Sequence, residues 1–170
     1  LPRERVTDLL RGSLEYPATI LQAGTGYGKS TSLLTFIEKL DIPVFWFSVS
    51  ADDRDPTLFL MNLYTAFNQH GYTIGSEALR ILDTPDSEPT DGLIALVNAI
   101  ANHIPERCLL VLDDVQYVDQ SPVILNLLNW FIDHLPRSLH VILSTRRALD
   151  FPSIHRWRAK GSVLEIGKRD

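Results

Sequence analysis

Short apolar runs alternate along the chain with longer stretches whose apolar positions recur every three or four residues, a pattern that predicts strands interleaved with helices. Thr19-Ile20-Leu21-Gln22 reads as a first strand, and Leu33, Leu34, Phe36, Ile37 and Leu40 then follow at helical steps. Val44 to Val49 reads as a second strand. Asp55 and Pro56 form a cap and first helical position for a helix carrying Phe59, Leu60, Leu63, Tyr64 and Phe67, with Gly71 as its stop. Residues 83–92, with Pro85, Pro89 and several acids, read as a loop but not as a domain boundary, since neither side could bury a core alone. A helix starting at Thr90 or Asp91 places Leu93, Val97 and Ile100 on one face and stops near Pro105. Cys108 to Asp113 is apolar up to its last residue, as expected of a parallel strand covered on both faces. Ser121-Pro122 opens a helix with Ile124, Leu127, Leu128 and Phe131 inward. Leu139 to Ser144 reads as a fourth strand, Ser153 to Ala159 as a short helix, and Val163 to Ile166 as a fifth strand. The whole is an α/β pattern rather than a bundle or a sandwich.

Composition narrows the class. The chain has 170 residues, 45% apolar and 22% charged, which suits one domain with its own core and excludes a disordered segment. No apolar stretch approaches the roughly 18 residues needed to span a membrane. One cysteine, Cys108, cannot make an internal disulfide, and the five histidines have no zinc-site spacing, so the expectation is a reducing, cytoplasmic setting. The chain opens at Leu1 with no signal-peptide pattern, and the missing initiator methionine suggests a segment, residues 1–170, of a longer multidomain protein. A net charge of −5 argues against direct DNA binding by this domain, because affinity for a phosphate backbone needs clustered Lys and Arg. The charge is uneven: residues 1–136 carry 8 basic and 18 acidic side chains, residues 137–170 carry 8 and 3. The basic final segment could face phosphate, an acidic neighbouring domain, or water.

The first strand runs directly into Ala23-Gly24-Thr25-Gly26-Tyr27-Gly28-Lys29-Ser30 and then into an amphipathic helix. This fits a phosphate-binding P-loop with Ala in place of the first Gly. Its glycines let backbone N–H groups close around phosphate oxygens, and the helix offers its positive N-terminal end to the same charge. Gly24, Thr25, Gly26, Tyr27, Gly28, Lys29, Ser30 and Thr31 form the expected nucleotide-binding stretch, with Lys29 reaching the β- and γ-phosphates and Ser30 binding Mg²⁺. The competing reading is a glycine-rich turn that merely caps a helix. The second half of such a site should be an acid at the end of another buried strand, and Leu109-Leu110-Val111-Leu112-Asp113-Asp114 supplies one. Asp113 is assigned to Mg²⁺ through water and Asp114 to orienting or activating the attacking water, against the alternative that both simply begin a turn.

A third element follows the fourth strand, Ile142-Leu143-Ser144-Thr145-Arg146-Arg147. A strand beside the P-loop strand points its carboxyl end at the γ-phosphate, so Arg146 is the candidate sensor and Thr145 a candidate for positioning water. Arg147, or a solvated basic pair, is the alternative. Asp52-Asp53-Arg54-Asp55 lacks the Gly and Glu of a calcium loop in any register and reads as helix capping. Trp46, Trp130 and Trp157 read as core or core edge, and Cys108 as buried and inert.

With these motifs in place the chain resembles the nucleotide-binding domain of STAND-type NTPases, specifically the MalT-like, large ATP-binding LuxR-type transcription regulators. Leu1-Pro2-Arg3-Glu4-Arg5 looks like that family's opening segment, Gly26-Tyr27-Gly28-Lys29 like its Tyr-containing P-loop, and Val44 to Val49 with Asp55-Pro56 and Phe59 like its second strand and following helix. Leu109 to Asp114 and Ser144-Thr145-Arg146 are similar to its Walker B and sensor segments. Gly24-Thr25 and Ser30 depart from the family's usual Pro-Ala and Thr while keeping the phosphate chemistry. The resemblance implies a three-layer P-loop NTPase fold with about five parallel strands in the order 5-1-4-3-2, and an ATP/ADP switch with Mg²⁺ and slow hydrolysis. It implies that Arg3 and Arg5 lie near adenine. It further implies downstream winged-helix, sensor and output domains on the same polypeptide, with nucleotide-dependent self-assembly. A stand-alone P-loop ATPase or kinase, and a non-hydrolysing nucleotide-binding interaction module, are the rival functions.

Overall fold

Among the described residues five strands form one parallel sheet: β1 (Ala18–Gln22), β2 (Val44–Ser48), β3 (Cys108–Asp113), β4 (Leu139–Thr145) and β5 (Val163–Ile166). The computed structural model describes residues 8–24, 29–68, 72, 74, 80, 84 and 87–167, the side chain of Lys29 excepted. The sheet order is β2-β3-β4-β1-β5, the expected 5-1-4-3-2 counted from the other edge. Register pairs Gln22 with Thr145 and Ser48 with Asp113, so the carboxyl ends of β1 to β4 finish along one edge of the sheet.

Alternation along the strands builds the layers. In β3, Leu110 and Leu112 face a large cluster with Phe45, Phe47, Val141 and Leu143, whereas Leu109 and Val111 face a second one with Leu21 and Ile142. The first cluster is covered by α2 (Pro56–Asn68), α3 (Pro89–His103) and α4 (Pro122–Asp133), through side chains such as Phe59, Leu96 and Phe131. The second is covered by Leu33 and Phe36 of α1 (Lys29–Ile37) together with Leu10. Burial on both faces explains why β3 and β4 are buried at every position. Cys108 lies at the start of β3, fully buried, and desolvation pushes its thiol up to about 12.

Caps set the helix starts. The Asp55 carboxylate accepts the Leu58 N–H at 2.8 Å and opens α2. Helix α3 starts at Pro89, inside the segment read as loop, because a proline at the first helical position needs no N–H partner and a Glu88/Asp91 capping box precedes it, with Asp91 accepting the Glu88 N–H at 3.0 Å. The expected stop at Gly71 falls outside the described residues. The acidic run forms a short turn, Ala51–Arg54, in which Asp53 accepts from the Ser50 N–H (2.6 Å), the Ser50 hydroxyl (2.9 Å) and Asn62 Nδ2 (2.7 Å). Its carboxylate is therefore committed to capping. α5 (Ile154–Lys160) ends on Gly161, whose φ of 61° needs a residue without Cβ strain. It is tied to α4 by Asp133, which accepts from Trp157 Nε1 at 2.7 Å and from Arg156 Nη2 at 2.5 Å. No helix of the described residues is long and apolar enough to cross a membrane.

Candidate functional site

The site lies at the carboxyl edge of the sheet, where β1 leads toward α1. The Ala23 N–H still bonds the Thr145 carbonyl at 3.1 Å, so the chain leaves β1 beside the end of β4. Helix α1 then begins at Lys29, and its nine residues present the positive end of the helix toward this edge. Ser30 lies in its first turn, and its hydroxyl donates to Asp113 Oδ2 at 3.4 Å across 83 residues of sequence. On the other side, the Ser144 hydroxyl donates to Asp113 Oδ1 at 2.6 Å, and the Asp114 N–H donates to the same oxygen at 3.0 Å. Asp113 is only 7% exposed. A buried carboxylate without partners would be costly, and these three donors reduce that cost. Among the described residues none of its partners is a cation.

The chain after β3 turns sharply. Asp114 is the one described non-glycine residue with positive φ (61°), a left-handed conformation that Asp tolerates better than most residues. The short turn Val115–Tyr117 follows. Gln116, 8% exposed, donates through Nε2 to Asp114 Oδ1 at 2.8 Å and accepts the Arg146 N–H through Oε1 at 3.0 Å. Arg146 Nε lies 3.7 Å from the same Asp114 oxygen. Arg147 turns the other way, with Nη2 2.9 Å from Asp119 Oδ1 and 2.9 Å from the Gln116 carbonyl. The Thr145 hydroxyl donates to the Arg147 carbonyl at 2.9 Å and accepts the Arg147 N–H at 3.3 Å, so it braces the turn.

Of the residues expected from sequence, Ser30 and Asp113 meet directly, and Asp114 and Arg146 lie side chain to side chain next to them. Gly24 is half-buried at the exit of β1, and Thr31 is exposed on the first turn of α1. Arg3, Thr25, Gly26, Tyr27, Gly28 and the Lys29 side chain lie outside the described residues. Two participants were not assigned from sequence as partners of the acids, Ser144 and Gln116. The signal for Gln116 was a polar residue between Val115 and Val118, both fully buried, directly after the acid pair.

The donor set fits a hard, oxygen-seeking cation. The Ser30 hydroxyl gives its hydrogen to Asp113 and keeps its lone pairs, and Asp113 offers carboxylate oxygens, but the described residues contain no cluster of three acidic, His or Cys ligands. That suits Mg²⁺, which binds through one or two protein oxygens and fills its octahedron with water and phosphate oxygens.

A parallel sheet in this order, a first strand feeding a helix N-terminus, and an acid and a basic residue ending its neighbours define a P-loop NTPase domain. Residues 16–150 match the family model described as AAA domain, and the chain belongs to that family. It is similar to the HTH-type transcriptional regulator MalT of Vibrio parahaemolyticus, 27% identical over 166 residues, which is 97% of this chain and 18% of that protein. The chain thus spans less than a fifth of the length of the curated relatives it matches. Among solved structures it resembles a signal transduction ATPase with numerous domains (STAND) and a tetratricopeptide repeat sensor from Pyrococcus horikoshii, with a TM-score of 0.59 at 16% identity over 98% of this chain and 23% of that one. It also resembles a Walker-type ATPase of Pyrococcus abyssi, with a TM-score of 0.55 at 22% identity over 85% of this chain and 45% of that one. Identities this low carry the fold.

Proposed function

We propose that this domain is a Mg²⁺-dependent ATP/ADP-binding switch within a larger, cytoplasmic, signal-responsive transcription regulator, and that slow ATP hydrolysis resets it. The observation that carries the reading is the Ser30–Asp113 contact, which joins the start of the helix after the glycine-rich loop to the acid of a neighbouring strand. The similarity to an HTH-type transcriptional regulator along 97% of the chain supports the regulatory setting; winged-helix, sensor and output domains on the same polypeptide, and nucleotide-dependent self-assembly, complete the proposal.

Each residue then has a task. Backbone N–H groups from Gly24 through Thr31 hold the phosphates against the positive end of α1, and Lys29 neutralises the β- and γ-phosphates. Arg3 borders the adenine. Ser30 and Asp113 would hold Mg²⁺, Asp113 through water, and the bound ion would supply charge neutralisation for the nucleotide's phosphates. Asp114 orients the attacking water and takes up its proton. The water oxygen bonds to the γ-phosphorus as the bond to the β–γ bridging oxygen breaks, and ADP leaves with the electron pair. Arg146 is the group whose interactions differ between ATP and ADP, which is what a two-state switch requires of its ligand.

Calorimetric titration with MgADP and MgATP, alongside phosphate release, tests this on the chain and on Lys29→Ala. The expected result is binding of both nucleotides, slow release, and at least tenfold weaker binding by the variant. Rapid turnover would make the domain an ordinary ATPase, and no heat with either nucleotide would remove the reading altogether.

A further inference from the structure

We propose that Gln116 is a positioning residue that couples the water-orienting acid to the γ-phosphate sensor, an inference that rests on the function proposed above. Its amide is used at both ends. Nε2 donates to Asp114 Oδ1 at 2.8 Å, and Oε1 accepts the backbone N–H of Arg146 at 3.0 Å. A single planar group therefore sets both the orientation of one carboxylate and the height at which β4 delivers the arginine. The consequence is visible in the side chains, because Arg146 Nε stands 3.7 Å from the same Asp114 oxygen that Gln116 holds.

The amide is held firmly enough to do this. Gln116 is 8% exposed between buried Val115 and Val118. Its carbonyl accepts from Arg147 Nη2 at 2.9 Å, and Arg147 is anchored in turn on Asp119. The next carbonyl, of Tyr117, accepts from Arg54 Nε at 2.9 Å. Two arginines from different segments thus clamp the turn that carries the amide. A group fixed by its surroundings can orient a neighbour without reorganising during reaction, and small misplacements of such neighbours cost large factors in rate.

Both amide ends matter chemically. Only a side chain that donates at one end and accepts at the other can serve a carboxylate and an N–H together, and Asn is too short to span both. In Gln116→Glu the acceptor for the Arg146 N–H remains, but the donor to Asp114 becomes a second negative charge, which pushes the Asp114 carboxylate off its position. In Gln116→Met both contacts are lost while the side chain keeps its length.

The test is steady-state phosphate release, calorimetric MgADP binding and thermal melting for wild type, Gln116→Glu and Gln116→Met. Both variants should lose at least about tenfold in kcat, with the KM for ATP and the MgADP affinity within twofold of wild type and the melting temperature nearly unchanged, a split that a merely packed side chain would not produce. A wild-type chain that hydrolyses ATP while Gln116→Glu matches its kcat overturns the inference and leaves the proposed function standing. Losses of kcat that come with a comparable loss of MgADP affinity or of melting temperature would reduce Gln116 to a packing role and also overturn it. A wild-type chain with neither binding nor turnover removes both proposals.

Discussion

Replacing Asp113 by Asn separates folding from function at one atom. The substitution keeps the shape: Oδ1 can still accept from the Ser144 hydroxyl and the Asp114 N–H, now 2.6 and 3.0 Å away, while the amide nitrogen replaces the oxygen that faces Ser30 at 3.4 Å. Hydrogen bonds to a charged group are worth about 1.5–3 kcal/mol and neutral ones about 0.5–1.5, so the two retained bonds weaken by about 2 kcal/mol together. Against this, a carboxylate only 7% exposed and without a cationic partner among the described residues no longer has to be kept out of water, a relief of similar size. The nucleotide-free variant should therefore unfold within about 1 kcal/mol of wild type, which for a chain of this length is a shift of roughly 2–4 °C in Tm. Ligand stabilisation behaves differently. Nucleotide with Mg²⁺ at about 100 times its Kd stabilises by about 2.7 kcal/mol, or roughly 5–10 °C. The charge at Asp113 contributes about 4 kcal/mol per unit cation charge at 4 Å and an effective dielectric of 20, so its removal should erase most of that shift. Thermal melts with and without MgADP measure both numbers. A variant that melts far below wild type without nucleotide, or keeps the full ligand shift, would refute the reasoning.

Three further outcomes follow from other parts of the molecule. Asp133→Ala leaves the indole N–H of Trp157, a side chain 3% exposed, without its 2.7 Å acceptor, and should lower stability by about 1–3 kcal/mol in urea unfolding with an unchanged m-value. Cys108, buried and with its thiol pushed up to about 12, should resist alkylation by iodoacetamide at pH 8 in the native chain and react fully in denaturant. Glu165, held below the usual carboxylate range by its hydrogen bonds to Arg158 at 2.6 and 2.7 Å, contributes stability that is present above its unfolded value and is lost as pH falls through its lower folded value; Glu165→Gln should flatten the acid limb of the stability profile by lowering stability above that limb, with the low-pH end nearly unchanged.

The strands were legible because a central parallel strand has no polar face. β3 is buried at all six positions, so its apolar run from Cys108 stood out, and the acid that ends it, Asp113, with Asp114 directly after, stood out as an anomaly needing a cation. The sheet order came from the family resemblance that these motifs carry, and the structure has it. Less was legible where local chemistry competes with pattern. Pro89 read as a loop residue although it is the first residue of α3, because the capping box that makes it helical depends on the backbone of Glu88. The partners of the acids were harder still. Ser144 was read as part of a sensor segment, but its hydroxyl goes to Asp113 across the strand pair, and Gln116 reaches Arg146 over 30 residues of sequence. Such contacts depend on register and on the left-handed turn at Asp114, neither of which a one-dimensional pattern encodes.

The most direct test of the central claim is a crystal structure of the chain grown with MgADP. The account places the diphosphate at the first turn of α1, with the cation touching the Ser30 hydroxyl and linked to Asp113 through water. Nucleotide bound elsewhere on the molecule, or a cation with no contact to either residue, would contradict it.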